Sequence, residues 1–131
     1  MIDIENMLFT KMKTNLPEGV KAGTMYSSVQ STFPYVTLAV MDNSIYDKFI
    51  DSGRIENAVE IMVEVNVYSN KTSGKKEECK ALIQNIDDTL SGLGLVRSFC
   101  QPTPNLEDAT VYRITARYRA VVDKNLNIYR R

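Results

Sequence analysis

Arg113, Arg117 and Arg119 are the side chains with the clearest potential for chemistry, because they fall at alternating positions of one extended stretch. Side chains on a strand alternate between its two faces, so all three project from the same side. A basic stripe of this kind either tracks the phosphates of a nucleic acid or forms ion pairs. Glu60 and Glu64 share the polar face of an earlier strand, and they supply cross-strand partners if the two strands are antiparallel neighbours. No aromatic residue interleaves with the arginines on their own face, as a binder of single-stranded nucleic acid requires. Lys plus Arg, at 16, balances Asp plus Glu, at 16, so the net charge does not favour a polyanion or an anionic membrane. Ion pairing, within the sheet or between subunits, is the stronger reading.

Little else in the sequence points to bond-making chemistry. The chain has no histidine, which excludes Ser/His and Cys/His nucleophiles and a Cys/His zinc site built from this chain alone. A Ser/Lys arrangement stays open, but no spacing suggests one. Cys79 and Cys100 lack CxxC spacing and are expected as reduced thiols in or beside the core, in keeping with a cytoplasmic origin. Glu77-Glu78 and Asp87-Asp88 read as solvated charges on a helix surface. The 6 glycines are scattered and form no phosphate-binding loop. A non-enzymatic protein with no metal and no cofactor is expected. No apolar run approaches the roughly 18 residues of a membrane span, and no basic stretch leads into an apolar one at the start, so neither a membrane partner nor the usual secretory route is expected.

The elements that position these residues follow from periodicity. With 131 residues, 44% of them hydrophobic and 24% charged, the chain suits a single domain over residues 1–131. Ala58 to Tyr68 is the strongest strand: Val59, Ile61, Val63, Val65 and Val67 form an aliphatic face opposite Glu60, Met62, Glu64, Asn66 and Tyr68. Val36, Leu38 and Val40 mark a strand over Phe33 to Met41, which Asp42-Asn43-Ser44 is expected to break. Thr110 to Val122 reads as a further strand, with Tyr112, Ile114, Ala116, Tyr118, Ala120 and Val122 opposite the arginines. Leu95 to Gln101 reads as the fourth, ended by Pro102.

Two helices complete the set. Ile4, Met7, Leu8 and Met12 predict an amphipathic first helix with Asp3 as its cap and Pro17-Glu18-Gly19 at its end. Cys79, Leu82, Ile83, Ile86 and Leu90 predict a second, with Ser73 as its cap and Gly92 as its stop. Lys21 to Thr32 reads as irregular or edge structure, and 124–131 as a flexible polar tail. The expected fold is α+β, a mainly antiparallel four-stranded sheet packed against two helices in the order α-β-β-α-β-β.

Two features point beyond a lone domain. The long loop over 42–57 carries Ile45, Tyr46, Phe49 and Ile50, apolar side chains that should not stand in water. It either folds back on its own domain, with a helical turn over Ser44 to Ile50, or docks on another subunit or partner. The two main strands also measure about 36 and 43 Å at about 3.3 Å per residue. A compact domain of this size is about 36 Å across, so the strands either bend around the core or reach beyond it. A projecting strand edge is a hazard in a monomer and a means of assembly in an oligomer.

This order of elements resembles the tail terminator and tail completion proteins, the head-tail joining proteins of long-tailed bacteriophages and prophages. The resemblance lies in Phe33-Pro34-Tyr35-Val36-Thr37-Leu38, in Val59 to Tyr68 leading through Ser69-Asn70 into the Cys79 to Leu90 helix, and in Val111 to Asp123. It covers roughly residues 25 to 123. It implies a homo-oligomeric ring, typically a hexamer, that caps the tail tube, stops its polymerisation and meets the head connector and neck proteins. The implied location is the virion tail or neck, and the host cytoplasm during assembly. Nucleic acid would be only incidental, as DNA passing through the ring. The subunit or partner interface is expected at Ile45, Tyr46, Phe49, Ile50, Glu60, Glu64, Arg113, Arg117 and Arg119. Two other readings stay open: a head-completion or neck protein that binds the connector, and a small nucleic-acid-binding module using the Arg113/Arg117/Arg119 face.

Overall fold

The strand β3, Ala58–Ser69, runs through the middle of the molecule and is buried at nearly every position. Its branched residues favour extended backbone, and its aliphatic face has two neighbours to pack beside. In a computed structural model of the chain, which describes residues 2–23, 34–45, 58–103 and 110–129, β3 lies between β2, Tyr35–Ile45, and β5, Tyr112–Asp123. Both pairings are antiparallel. β4, Val96–Pro102, pairs with the far side of β5, and the short β6, Ile128–Tyr129, continues that edge. β1, Lys21–Gly23, pairs parallel with the start of β2. The fold is α+β as expected, but among the described residues the sheet has six strands where four were anticipated.

The two extra strands come from segments too short to show periodicity. β1 falls in the stretch expected as irregular or edge structure. Gly23 sits where the Tyr35 hydroxyl passes, and a Cβ there would meet it. β6 falls in the segment expected as a loose tail, and a turn built by Asp123 leads into it. The Asp123 carboxylate accepts hydrogen bonds from the Asn125 and Asn127 backbone N–H groups at 2.8 and 2.9 Å. That carboxylate-capped turn returns the chain onto β5.

The helices α1, Glu5–Asn15, and α2, Lys75–Leu93, pack on the aliphatic face of the sheet. Ile4 at the N-cap of the first, Leu8 and Met12 within it, and Cys79, Leu82, Ile83, Ile86 and Leu90 of the second join Val36, Leu38, Val59, Ile61, Val63, Val65, Val67, Ile114, Ala116, Tyr118, Ala120 and Val122 in one core. Tyr118 is the largest fully buried side chain there. Its hydroxyl donates to Asp87 at 2.9 Å, and Arg97 pairs with the same carboxylate at 3.2 Å. Asp87 is thus an anchor between α2 and the sheet, and not the solvated surface charge expected of it.

The helix ends differ from expectation by short shifts. Asp3 is not the N-cap of α1: Ile4 occupies that position, and Asp3, one residue earlier, accepts the Glu5 N–H at 3.1 Å. Ser73 does not cap α2: Gly74 takes that place in the left-handed region, with φ 84°, and Glu77 and Glu78 supply negative charge to the first turn. Gly92 stays helical, and Gly94 ends α2 with φ 104° while the Leu95 N–H reaches back to the Leu90 carbonyl.

Asp42-Asn43-Ser44 does not break β2. A bulge between Val40 and Asp42 takes up Met41, and pairing with β3 resumes through Ile45. Without the bulge, Asp42 would stand opposite Ile61 on the aliphatic side; with it, Asp42 stands opposite Met62. The shift turns Asn43 toward the helix layer, where its amide donates to the Ile2 carbonyl at 2.8 Å. Glu5 accepts the Val40 N–H at 2.8 Å, which blunts that sheet edge.

The polar face of the sheet as a candidate interaction surface

The sheet face turned away from α1 and α2 gathers the residues singled out for chemistry. Register arranges them in cross-strand rows. At one end, Tyr35, Tyr68 and Arg113 stand side by side, followed by Thr37, Asn66, Thr115 and Gln101. Ala39, Glu64, Arg117 and Phe99 form the middle row. Asp42, Met62, Arg119 and Val96 come next, and Ser44, Glu60, Val121 and Tyr129 close the face.

A connected hydrogen-bond network holds the first three rows. Arg117 Nε pairs with Glu64 Oε2 at 3.2 Å, and the Asn66 amide donates to Glu64 Oε1 at 3.0 Å. Asn66 Oδ1 in turn accepts from Arg113 Nε at 2.9 Å and from the Thr115 hydroxyl at 2.7 Å. The Thr103 hydroxyl reaches Thr115 at 2.8 Å. Asn66 is only 1% exposed and Glu64 6%, so these bonds replace water for groups that cannot leave the sheet. Cross-strand opposition puts each partner within reach.

Two stacked cations border the network. The Arg113 guanidinium lies 5.6 Å from the Tyr68 ring centre, and that of Arg117 lies 5.1 Å from Phe99. Each such contact is worth about 0.5–1 kcal/mol at a partly exposed site. Tyr35 extends the aromatic cluster, with its ring centre 6.3 Å from that of Tyr68. The expectation that the arginines lack aromatic company is therefore overturned. The rings come from the neighbouring strands, and Phe99 reaches this face only because a bulge between Arg97 and Phe99 shifts the β4 register. In an unbroken ladder Phe99 would oppose Ala116 on the helix side.

The expected charge pairing holds for one arginine of three. Glu64 and Arg117 pair as anticipated, but Arg113 bonds to a neutral amide. Arg119 stands opposite Met62, Glu60 stands opposite Val121, and among the described residues no ion pair joins the two. Ile45 closes β2, so the helical turn expected from Ser44 does not begin there. Tyr46, Phe49 and Ile50 lie outside the described residues, with the rest of the long loop. Asn66, Tyr68, Thr115 and Phe99 were not anticipated as members of the site. Asn66 and Tyr68 were legible as members of the polar side of β3, but their partners depend on register.

Two buried groups elsewhere, Cys79 and Tyr118, hold their protons tightly. Burial, aided by the nearby Glu78 carboxylate, pushes the Cys79 thiol up to about 12. Burial and the hydrogen bond to Asp87 push the Tyr118 hydroxyl well above its ordinary value. Both cysteines are free as expected, but Cys100 is exposed at the sheet edge and does not join the core. Among the described residues no group of three metal-ligating side chains converges, and no helix is long and apolar enough to cross a membrane. The arrangement suits recognition through charge and stacking. No protein-family model matches the chain, and no curated protein matches it in sequence.

Proposed function

We propose that the protein is a non-enzymatic structural subunit of a long-tailed phage or prophage. Its copies assemble into a ring, typically hexameric, that caps the tail tube, ends its polymerisation and forms the joint to the head. The observation that carries this reading is the asymmetry of the sheet. Both helices lie on one side of two strands of 12 residues each, and the other side presents arginines, carboxylates and aromatic rings. Such a surface offers complementary charge to a neighbour. The long elements α1, β2, β3, α2, β4 and β5 follow the order on which the resemblance rests, with the short β1 and β6 added to it. Capping needs only geometry: one surface complements the last tube ring, and the other lacks what a further tube subunit would dock on.

Sedimentation velocity at micromolar concentration, alone and with tube protein, tests this reading. Rings alone or with tubes are expected; a chain that stays monomeric in both conditions overturns it. A head-completion protein in the same assembly would bind connector rings and leave tubes alone.

The stacked arginines favour one reading of a different class, a nucleic-acid-binding module. Among the described residues, Arg113 and Arg117 bond to Asn66 and Glu64 through Nε, and Arg117 is 44% exposed. Tyr68 is, however, nearly buried, and the Arg117 guanidinium lies over one side of the half-buried Phe99 ring, which limits stacking by a base. This alternative predicts salt-sensitive DNA binding that weakens in Arg117→Ala. No mobility shift at low salt removes it.

A further inference from the structure

At the end of the polar face around Arg119, the exposed Asp42 and Arg119 and the half-buried Glu60 form no ion pair among the described residues. Asp42, Ser44, Glu60, Met62 and Arg119 line a concavity of about 210 Å³, the size of one large side chain. Asp42 engages only the Ser44 hydroxyl, at 3.3 Å, and neither Glu60 nor Arg119 joins an ion pair among the described residues. The exposed large hydrophobic residues gather at the same end. Val96, 47% exposed, stands opposite Arg119, and Tyr129, 41% exposed, stands opposite Val121. Met41 adjoins Asp42 at the bulge, and Leu126 sits in the β5–β6 turn. Unpaired opposite charges among exposed apolar side chains are the composition of a contact surface.

We infer that this end of the sheet docks a second copy of the same chain, with Arg119 of each copy entering the Asp42/Glu60 concavity of the other. The charge layout is self-complementary. The carboxylates lie on β2 and β3, while the arginine lies on β5 with the apolar Val96 and Tyr129 beyond it. A twofold axis along the strand direction brings the β2 side of one face over the β4 side of its partner, which sets acid against base. A twofold axis across the strands sets acid against acid and is disfavoured. Aligned sheets packed face to face accommodate the first arrangement. The contact is isologous, so it pairs chains whether or not a separate surface closes a ring.

The test is sedimentation velocity over a concentration series on the full chain, Arg119→Glu, Glu60→Arg and an equimolar mixture of the two variants. Circular dichroism confirms that each variant folds. Each single reversal is expected to raise the dissociation constant of the pairing step by roughly tenfold or more. The mixture is expected to recover association, because each contact then regains one attractive arrangement. Assemblies of unchanged size and affinity in Arg119→Glu overturn the inference and leave the ring proposal standing. Pairs that never grow into rings, yet are broken by Arg119→Glu, support the inference against the ring. A wild-type chain that stays monomeric throughout overturns it.

Discussion

The two faces of β3 are held by different physics. On the helix side, Val59, Ile61, Val63, Val65 and Val67 gain from leaving water, and any apolar neighbour of suitable shape serves them. On the other side, Glu64 and Asn66 are as deeply buried, yet each depends on named atoms of a facing strand. The first face tolerates exchange of partners and resists loss of volume. The second tolerates loss of volume and resists exchange of partners.

The largest expected effect tests the first half of that contrast. Leu90 is fully buried between α2 and the sheet. Leu90→Ala removes buried methyl groups and leaves a cavity, so it should cost about 2–5 kcal/mol in urea denaturation. Leu90→Met keeps the volume and should cost less than about 1.5 kcal/mol. Equal losses in the two variants would mean that the helix side is not governed by volume.

Asn66→Ala tests the second half. Truncation strips the shared acceptor from Arg113 Nε and the Thr115 hydroxyl and the amide donor from Glu64. A buried group left without its partner costs about 1–3 kcal/mol. Asn66→Leu, which keeps the volume, should do no better than alanine. If leucine restored stability, the polar face would behave like the apolar one and the contrast would fail.

The difference between the faces also explains what could be read in advance. Alternation in β3 and the helical spacing of Cys79 to Leu90 report burial directly, because each apolar residue carries its own reason to be inside. The α+β class, both helices and four of the strands follow from that alone. The polar face is a property of pairs. That Arg113 would meet Asn66 and not a carboxylate depends on β3–β5 register, and Phe99 joins the face through a one-residue bulge that no periodicity announces. β1 and β6, at 3 and 2 residues, are too short for any period, and Asp87 gained its role only when Tyr118 and Arg97 converged on it.

Alkaline titration probes the helix side by a different measurement. The Cys79 thiol rises from 9.0 to about 12, chiefly through burial, and the Tyr118 hydroxyl is raised through burial and its bond to Asp87. Both groups therefore hold their protons more tightly folded than unfolded. The Cys79 contribution to stability is complete below about pH 9 and is lost as pH climbs toward 12, whereas that of Tyr118 begins to be lost only above about pH 10. The thermal midpoint should fall across that window. Cys79→Ala should flatten the fall from its lower end, and Tyr118→Phe only above about pH 10, the ordinary tyrosine value. At neutral pH, Tyr118→Phe should cost about 0.5–1.5 kcal/mol for the lost hydrogen bond.

The smallest effects come from two arginines of the same strand and face. Arg117 is 44% exposed, but its partner Glu64 is nearly buried, so Arg117→Ala takes the guanidinium from a carboxylate held inside the sheet, where the Asn66 amide also donates to it. Solvent screening at the exposed end limits the loss to about 1 kcal/mol. Arg119 is exposed, and Arg119→Ala should change stability by less than about 0.5 kcal/mol. A double-mutant cycle of Glu64→Gln with Arg117→Ala should show coupling, and one of Glu60→Gln with Arg119→Ala should show none within the single chain. Coupling in the second cycle that appears only at concentrations where copies associate would locate the Arg119 ion pair between chains, because a surface charge that contributes nothing to its own fold has been left available for a neighbour.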